Sequence, residues 1–178
     1  MSEIIEKKEV PGSGNKKSKI VFIGEAPGAE EVKTGLPFQG MAGKKLDELL
    51  KSINLKRDDV YITNVVKVRP TKQSKKGNDV NCPPNSKLKE YYMKILEKEL
   101  MEMKNIQLIV TLGNNALQCF SHKAKIGNMS GKDFQHLKWN ILPLYHPSPL
   151  NKKNYKRLEE DFKKIQNLLS KSHNSEGV

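Results

Sequence analysis

Four side chains stand out by type and surroundings: a carboxylate, an aromatic ring, a buried amide and an imidazole. Glu25 sits at the tip of Gly24-Glu25-Ala26-Pro27-Gly28, where two glycines and a proline fix the backbone sharply. The alternative to a working carboxylate there is a solvated Glu on a structural turn. The segment is neither G-x-G-x-x-G nor a Walker loop, so phosphate cradling is unsupported. Phe38 lies in Gly35-Leu36-Pro37-Phe38-Gln39-Gly40. Most single Phe residues belong to a core, but one held in a Gly/Pro loop is placed to stack on a flat base. Asn64 interrupts the apolar run YITNVV, so its amide must find hydrogen-bond partners, either at a strand end or on a ligand. His146 opens His146-Pro147-Ser148-Pro149-Leu150, where two prolines preset the geometry of an imidazole that could otherwise be structural.

The elements that must position these residues alternate along the chain. KIVFIG at 19–24 reads as a buried strand, DVYITNVV at 59–66 as a second, QLIVTLG at 107–113 as a third and WNILPLYHP at 139–147 as a fourth. Leu46, Leu49, Leu50 and Ile53 share one helical face. A later long helix carries Leu88, Tyr92, Ile95 and Glu99, and the last helix buries Tyr155, Leu158, Phe162, Ile165 and Leu169. A loop rich in Lys, Gly and Asn is expected from Arg69 to Pro84. Strands alternating with helices predict an α/β fold: a single-domain, three-layer αβα sandwich around a central, mainly parallel four-stranded sheet. Residues 1–17 and 171–178 are expected to be flexible tails around a domain spanning 18–170. Parallel sheets bind ligands beyond the carboxyl ends of their strands. Glu25, Asn64 and His146 fall at such ends, so sequence order alone predicts that they converge.

The composition limits the partners. Lys plus Arg is 32 against 20 for Asp plus Glu, a formal net charge of +12 that favours a polyanion such as nucleic acid. Solubility alone is the plainer explanation of the same surplus. The length of 178 residues suggests one domain with a core that needs no disulfide or metal. The two cysteines, Cys82 and Cys119, follow no metal-binding spacing and suggest reduced thiols. No apolar run approaches the ~18 residues of a membrane span, and the N-terminus lacks a secretory core. A soluble intracellular protein is expected.

Taken in order, GEAPGAEE (24–31), GLPFQGMAG (35–43), VYITNVVKVRP (60–70), LIVTLGNNAL (108–117) and LYHPSPL (144–150) resemble the uracil-DNA glycosylase superfamily. The likeness is strongest to family 4, the usually iron–sulfur-containing enzymes of bacteria and archaea, and runs from about Lys19 to Leu169. The resemblance implies a hydrolase of the N-glycosidic bond of uracil in DNA. It implies that Glu25 orients or activates the attacking water and that Ala26, Glu31 and Phe38 bind substrate, Phe38 by stacking. Asn64 would read the base edge and take part in catalysis, and His146 would contact the leaving base. Leu150 would fill the gap left in the duplex, with Ser148 on the DNA beside it. Lys152, Lys153, Lys156 and Arg157 follow directly in the sequence and are placed to grip the flanking phosphates, with a solvated helix face as the alternative for any one of them. One departure is plain. The family usually holds its cluster on four cysteines, but residues 1–81 contain none, and Val68 and Tyr92 stand at two of the expected positions. The cofactor does not carry over, and no metal site is expected.

What the resemblance implies of the reaction follows from its charges. The nucleotide must be flipped out of the duplex, with Leu150 entering the vacated space. Negative charge then develops on the departing uracil and positive charge on the sugar, which His146 and Glu25 would respectively stabilise. The partners implied are DNA and free uracil, without a membrane, for a protein expected to act as a monomer. Its expected location is the cytoplasm near the nucleoid if the source is prokaryotic, or another compartment with access to DNA. Two alternatives stay open: a relative with another base preference, and a non-catalytic or DNA-trapping relative.

Overall fold

The structure, a computed structural model, describes residues 4–6 and 8–173 and the side chains of residues 8–170. In chain order the elements are β1 (Ile4–Glu6), β2 (Ser13–Gly14), β3 (Ile20–Gly24), α1 (Ala29–Thr34), α2 (Met41–Ser52), β4 (Tyr61–Asn64), β5 (Arg69–Gln73) and β6 (Asp79–Asn81). They continue with α3 (Ser86–Glu102), β7 (Leu108–Leu112), α4 (Asn114–Gln118), α5 (Ile126–Met129), β8 (Phe134–His136), β9 (Trp139–Leu144), α6 (Tyr155–Phe162) and α7 (Lys164–His173). Short 3-10 turns lie at Arg57–Asp59 and Pro149–Asn154.

The main sheet runs in the order β2-β4-β3-β7-β9-β8. Its inner four strands are mutually parallel, and the two- and three-residue edge strands β2 and β8 are antiparallel to them. The expected α/β sandwich is therefore present, with six strands instead of four. Alternate residues of the central strands feed opposite faces, as the period-2 geometry of a strand requires. Ile20 and Phe22 pack with Leu46, Leu49 and Leu50 of α2, Leu158 and Phe162 of α6 and Ile165 of α7. Val21 and Ile23 pack with Tyr92, Leu96 and Leu100 of α3 and with Ala116 of α4. Each such fully buried Leu or Phe contributes about 1.5–3 kcal/mol relative to exposure. Among the described residues no helix is long and apolar enough to cross a membrane.

Four expectations change. The segment 1–17, expected as a tail, supplies β1, which pairs with β5, and β2, which pairs with the edge of β4. Val10 is buried there, and its N–H donates to the Lys67 carbonyl at 2.7 Å. An open sheet edge offers unpaired backbone groups, and this segment satisfies them. The loop 69–84 contains the hairpin β5–β6, turned at Gly77, whose φ of 79° is left-handed. On α3 the buried face is Tyr92, Leu96 and Leu100, while Ile95 is 38% exposed. The last helical stretch is two helices, and the second runs on to His173, past the expected end of the domain. The remainder of the predicted C-terminal tail, 174–178, lies outside the described residues, as do residues 1–3 and 7 of the N-terminal one.

Pro143 sits inside β9 without disrupting it. Its carbonyl accepts from the Gly131 N–H at 2.9 Å, so its main-chain polar atoms face away from the neighbouring β7. The missing N–H costs no bond in the parallel ladder.

Candidate active site

Parallel pairing aligns Gly24 with Asn64 and Leu112 with Leu144, so four carboxyl ends open on one side of the sheet. Two clefts lie there, of about 510 and 330 Å³. Glu25, Asn115 and Leu150 line the larger; Asn64, Phe38 and Glu31 line the smaller. Ala26, Asn81, His146 and Ser148 line both. The predicted convergence of Glu25, Asn64 and His146 is thus a feature of the fold, with His146 on the shared wall.

Glu25 follows the last residue of β3, and its backbone is tied to the segment just after β4: the Val66 N–H donates to the Glu25 carbonyl at 3.0 Å. Burial raises its pKa, opposed by a hydrogen bond from Asn115 and by the charge of Lys89. Asn115 Nδ2 donates to Glu25 Oε2, and Lys89 Nζ reaches Asn115 Oδ1 at 3.4 Å. Sequence reasoning missed both residues. The signal was present for Asn115, which stands just beyond β7 at the same end of the sheet as Glu25 and Asn64. For Lys89, one lysine among many on a helix, there was none.

His146 follows β9. Its Nδ1 accepts the Ser148 N–H at 3.2 Å, which assigns the proton of the neutral ring to Nε2. Burial lowers its pKa to about 4, against the opposing charge of Glu31. The loop around it is braced by Asn151 Nδ2, which donates to the His146 carbonyl at 3.2 Å, and by the Tyr155 hydroxyl, which donates to the Pro147 carbonyl at 3.0 Å. Gly113, at φ 94°, leaves room for the ring: a Cβ there would stand 3.1 Å from His146 Cβ.

Asn64 is 3% exposed, and among the described residues no group hydrogen-bonds its side-chain amide. Its carbonyl accepts from Lys67 Nζ at 2.8 Å, and the same ammonium bonds Thr63 Oγ1 and Glu99 Oε2, each at 2.6 Å. This network, also missed from sequence, holds the end of β4 from behind. Burial lowers the Lys67 pKa, with the Glu99 charge opposing. Gly24 keeps the space in front open, since a Cβ there would meet the Phe38 ring at 2.6 Å.

Phe38 is both core and cleft wall. It is 5% exposed, and its ring stacks on His146 with centroids 5.9 Å apart and planes at 30°. Glu31 is a staple as well as a cleft residue. Its Oε2 accepts from the Gly28 N–H at 3.0 Å, and its Oε1 from Gln39 and Gly40 at 3.0 and 3.3 Å. Leu150 projects from the rim, 92% exposed, in the 3-10 turn that Ser148 caps by accepting the Leu150 N–H at 3.3 Å. Lys152 and Lys153 are exposed beside it. Arg157, which its place after Leu150 offered as a phosphate contact, donates to the Gly127 and Ser130 carbonyls, both at 3.1 Å. Its charge is also met by Asp161 at 3.5 Å, so it braces the fold.

At positions 68 and 92, two of the four where the family carries cluster cysteines, the residues present offer no thiolate ligand. Val68 and Tyr92 are buried with one another in the apolar core, and the Tyr92 hydroxyl donates to Glu9 Oε1 at 2.8 Å. Among the described residues no group of three or more Cys, His, Asp or Glu is placed to hold a metal ion.

Comparison with known proteins identifies the family. The chain is 38% identical to the type-4 uracil-DNA glycosylase of Archaeoglobus fulgidus, covering 91% of this chain and 82% of that one. It is 37% identical to the type-4 enzyme of Thermotoga maritima, covering 91% and 83%. The structure of SMUG2 from Pedobacter heparinus superposes with a TM-score of 0.58 at 15% identity, over 89% of this chain and 77% of that one, and shares the fold. The family model of the uracil DNA glycosylase superfamily matches residues 11–170. The chain is therefore a member of the uracil DNA glycosylase superfamily, alongside its type-4 proteins.

Proposed function

We propose that this protein hydrolyses the N-glycosidic bond of uracil in DNA, taking the base out of the duplex and leaving an abasic site. The observation that carries the reading is the division of the site into two clefts with His146 on their common wall. The smaller cleft, with Phe38 and the Asn64 amide, suits a base. The larger, with Glu25, suits the sugar and the attacking water. The scissile bond then lies beside the imidazole.

Each residue acts through its own chemistry. The Asn64 amide can accept from uracil N3–H and donate to O4, a pattern that cytosine inverts. The Phe38 ring stacks on the base. His146, neutral with its proton on Nε2, donates to the O2 of the departing uracil as negative charge develops there. Glu25, ionised, faces the cationic sugar and orients water, as carboxylates do in glycoside hydrolysis. Flipping costs a few kcal/mol of stacking and pairing. Leu150 offsets part of it by entering the gap, while Ser148, Lys152 and Lys153 hold the flanking phosphates.

A single assay tests the reading. Oligonucleotides with one uracil, thymine or cytosine at the same position are incubated with the protein and then treated with alkali. Cleavage at uracil alone is expected. Equal cleavage of none, or release of another base in preference, removes the proposal. The protein is further expected to be colourless and active without iron, because residues 1–81 contain no cysteine and Val68 and Tyr92, at two of the four cluster positions, are packed in the core. Metal analysis and an absorption spectrum of protein made without added iron check this. Stoichiometric iron, or activity that needs it, contradicts the expectation.

A further inference from the structure

Arg57 lies outside both clefts, in the 3-10 turn that precedes β4. Its guanidinium nevertheless converges on the loop that carries Phe38. Nη1 donates to the Pro37 carbonyl at 3.0 Å, and Nη2 to the carbonyls of Phe38 and, at 3.4 Å, Gly43. Nε is held by Asp47 Oδ1 at 2.6 Å, which fixes the plane of the fork. Glu31 acts on the same loop from the other side, taking the N–H groups of Gln39 and Gly40. Two side chains of opposite charge thus occupy the loop's donors and acceptors.

The loop needs such a clamp. Phe38 has φ of 54°, a left-handed conformation that an aromatic residue does not favour. Gly43, in the first turn of α2, lies so close that any Cβ there would overlap the Phe38 carbonyl. The backbone at Phe38 is therefore held by its surroundings and not by its own preference, a situation found where a side chain must be aimed. The aim is the cleft wall, where the ring meets His146.

We propose that Arg57 is a positioning residue for base recognition: it holds Phe38 in its left-handed conformation so that the ring presents its face to the flipped base. The inference rests on the reading of Phe38 as the stacking residue. A lysine in its place keeps one charge but cannot serve three carbonyls from one planar fork.

The test is a double-mutant cycle on the full chain with a uracil-containing duplex. Single-turnover rates at saturating enzyme are measured for the wild type, Phe38→Ala, Arg57→Ala and the double variant. Thermal unfolding and affinity for a thymine-containing duplex are measured alongside. Arg57→Ala is expected to slow cleavage on the order of 10- to 100-fold, the scale of a misplaced binding group, with affinity for the thymine duplex unchanged within about 2-fold. In the Phe38→Ala background the same change should cost less than about 2-fold, because the ring it positions is gone. Equal losses in both backgrounds overturn the inference and leave Arg57 a stabiliser of the fold. If Phe38→Ala cleaves like wild type, the stacking reading itself fails and takes the inference with it. Should Arg57→Ala not fold, Arg57→Lys and Asp47→Asn replace it in the same cycle with the same criterion.

Discussion

Replacing His146 with alanine is expected to slow bond cleavage by about 2–4 kcal/mol in activation free energy, the cost of losing one donor to a developing anion. The Ser148 N–H on Nδ1 leaves Nε2–H as the proton that the ring can offer. Burial holds the imidazole neutral by lowering its pKa to about 4, so His146 should change charge nowhere between about pH 5 and 8. Glu25 is shifted the other way by its burial. Its carboxylate is the working form, so the rate should fall as pH drops through a value above the usual 4.5 and protonates it. Single-turnover rates across pH separate the two. His146→Ala should lower the whole profile and keep its acid limb, whereas Glu25→Gln should abolish the limb. An unchanged rate in His146→Ala removes the residue from the mechanism.

Changing Asn64 to aspartate is expected to cost cleavage of uracil by roughly 100-fold or more, the scale on which a buried polar mismatch is rejected. The amide offers a donor and an acceptor; an ionised carboxylate offers acceptors only. Among the described residues nothing bonds the Asn64 amide, so the introduced oxygen would meet uracil O4 without an alternative partner. The same oxygen can accept from the exocyclic amino group of cytosine. Cytosine N3 would still face the second oxygen unless a proton lies between them. Burial raises the pKa of an aspartate and favours that shared proton at lower pH. Weak cleavage of cytosine is therefore expected, stronger under mildly acidic conditions. Matched oligonucleotides with uracil or cytosine at one position provide the assay. Wild-type activity on uracil in Asn64→Asp would mean that the amide does not read the base.

Much of the architecture was legible because hydrophobic pattern and strand geometry leave few alternatives. The five residues of β3 are all buried, and so are those of β7, which is what continuous apolar runs predict for strands covered on both faces. Once those strands run parallel, Glu25, Asn64 and His146 must emerge at one end of the sheet. The sequence could also show that two of the family's cluster positions hold Val68 and Tyr92, since this needs only residue identity. The edges were harder. Ser13–Gly14 reads as a linker by composition, and it becomes a strand only because β4 offers an open side.

The working details of the site were decided by tertiary structure. No spacing relates Arg57 to the carbonyls of Pro37, Phe38 and Gly43, or Glu31 to the N–H groups of Gln39 and Gly40, since backbone acceptors and donors carry no residue signature. Sequence named Phe38 as a possible stacking ring but not its left-handed backbone, which is imposed by those contacts. It named His146 but not the tautomer, which depends on where Ser148 directs one N–H. Sequence order puts Glu25 and Asn115 at one end of the sheet, but that their side chains bond each other is decided only where β3 and α4 meet. Residue type and order determine which chemistries the chain can support. Through-space hydrogen bonds and burial decide the proton positions and ring orientation with which it carries them out.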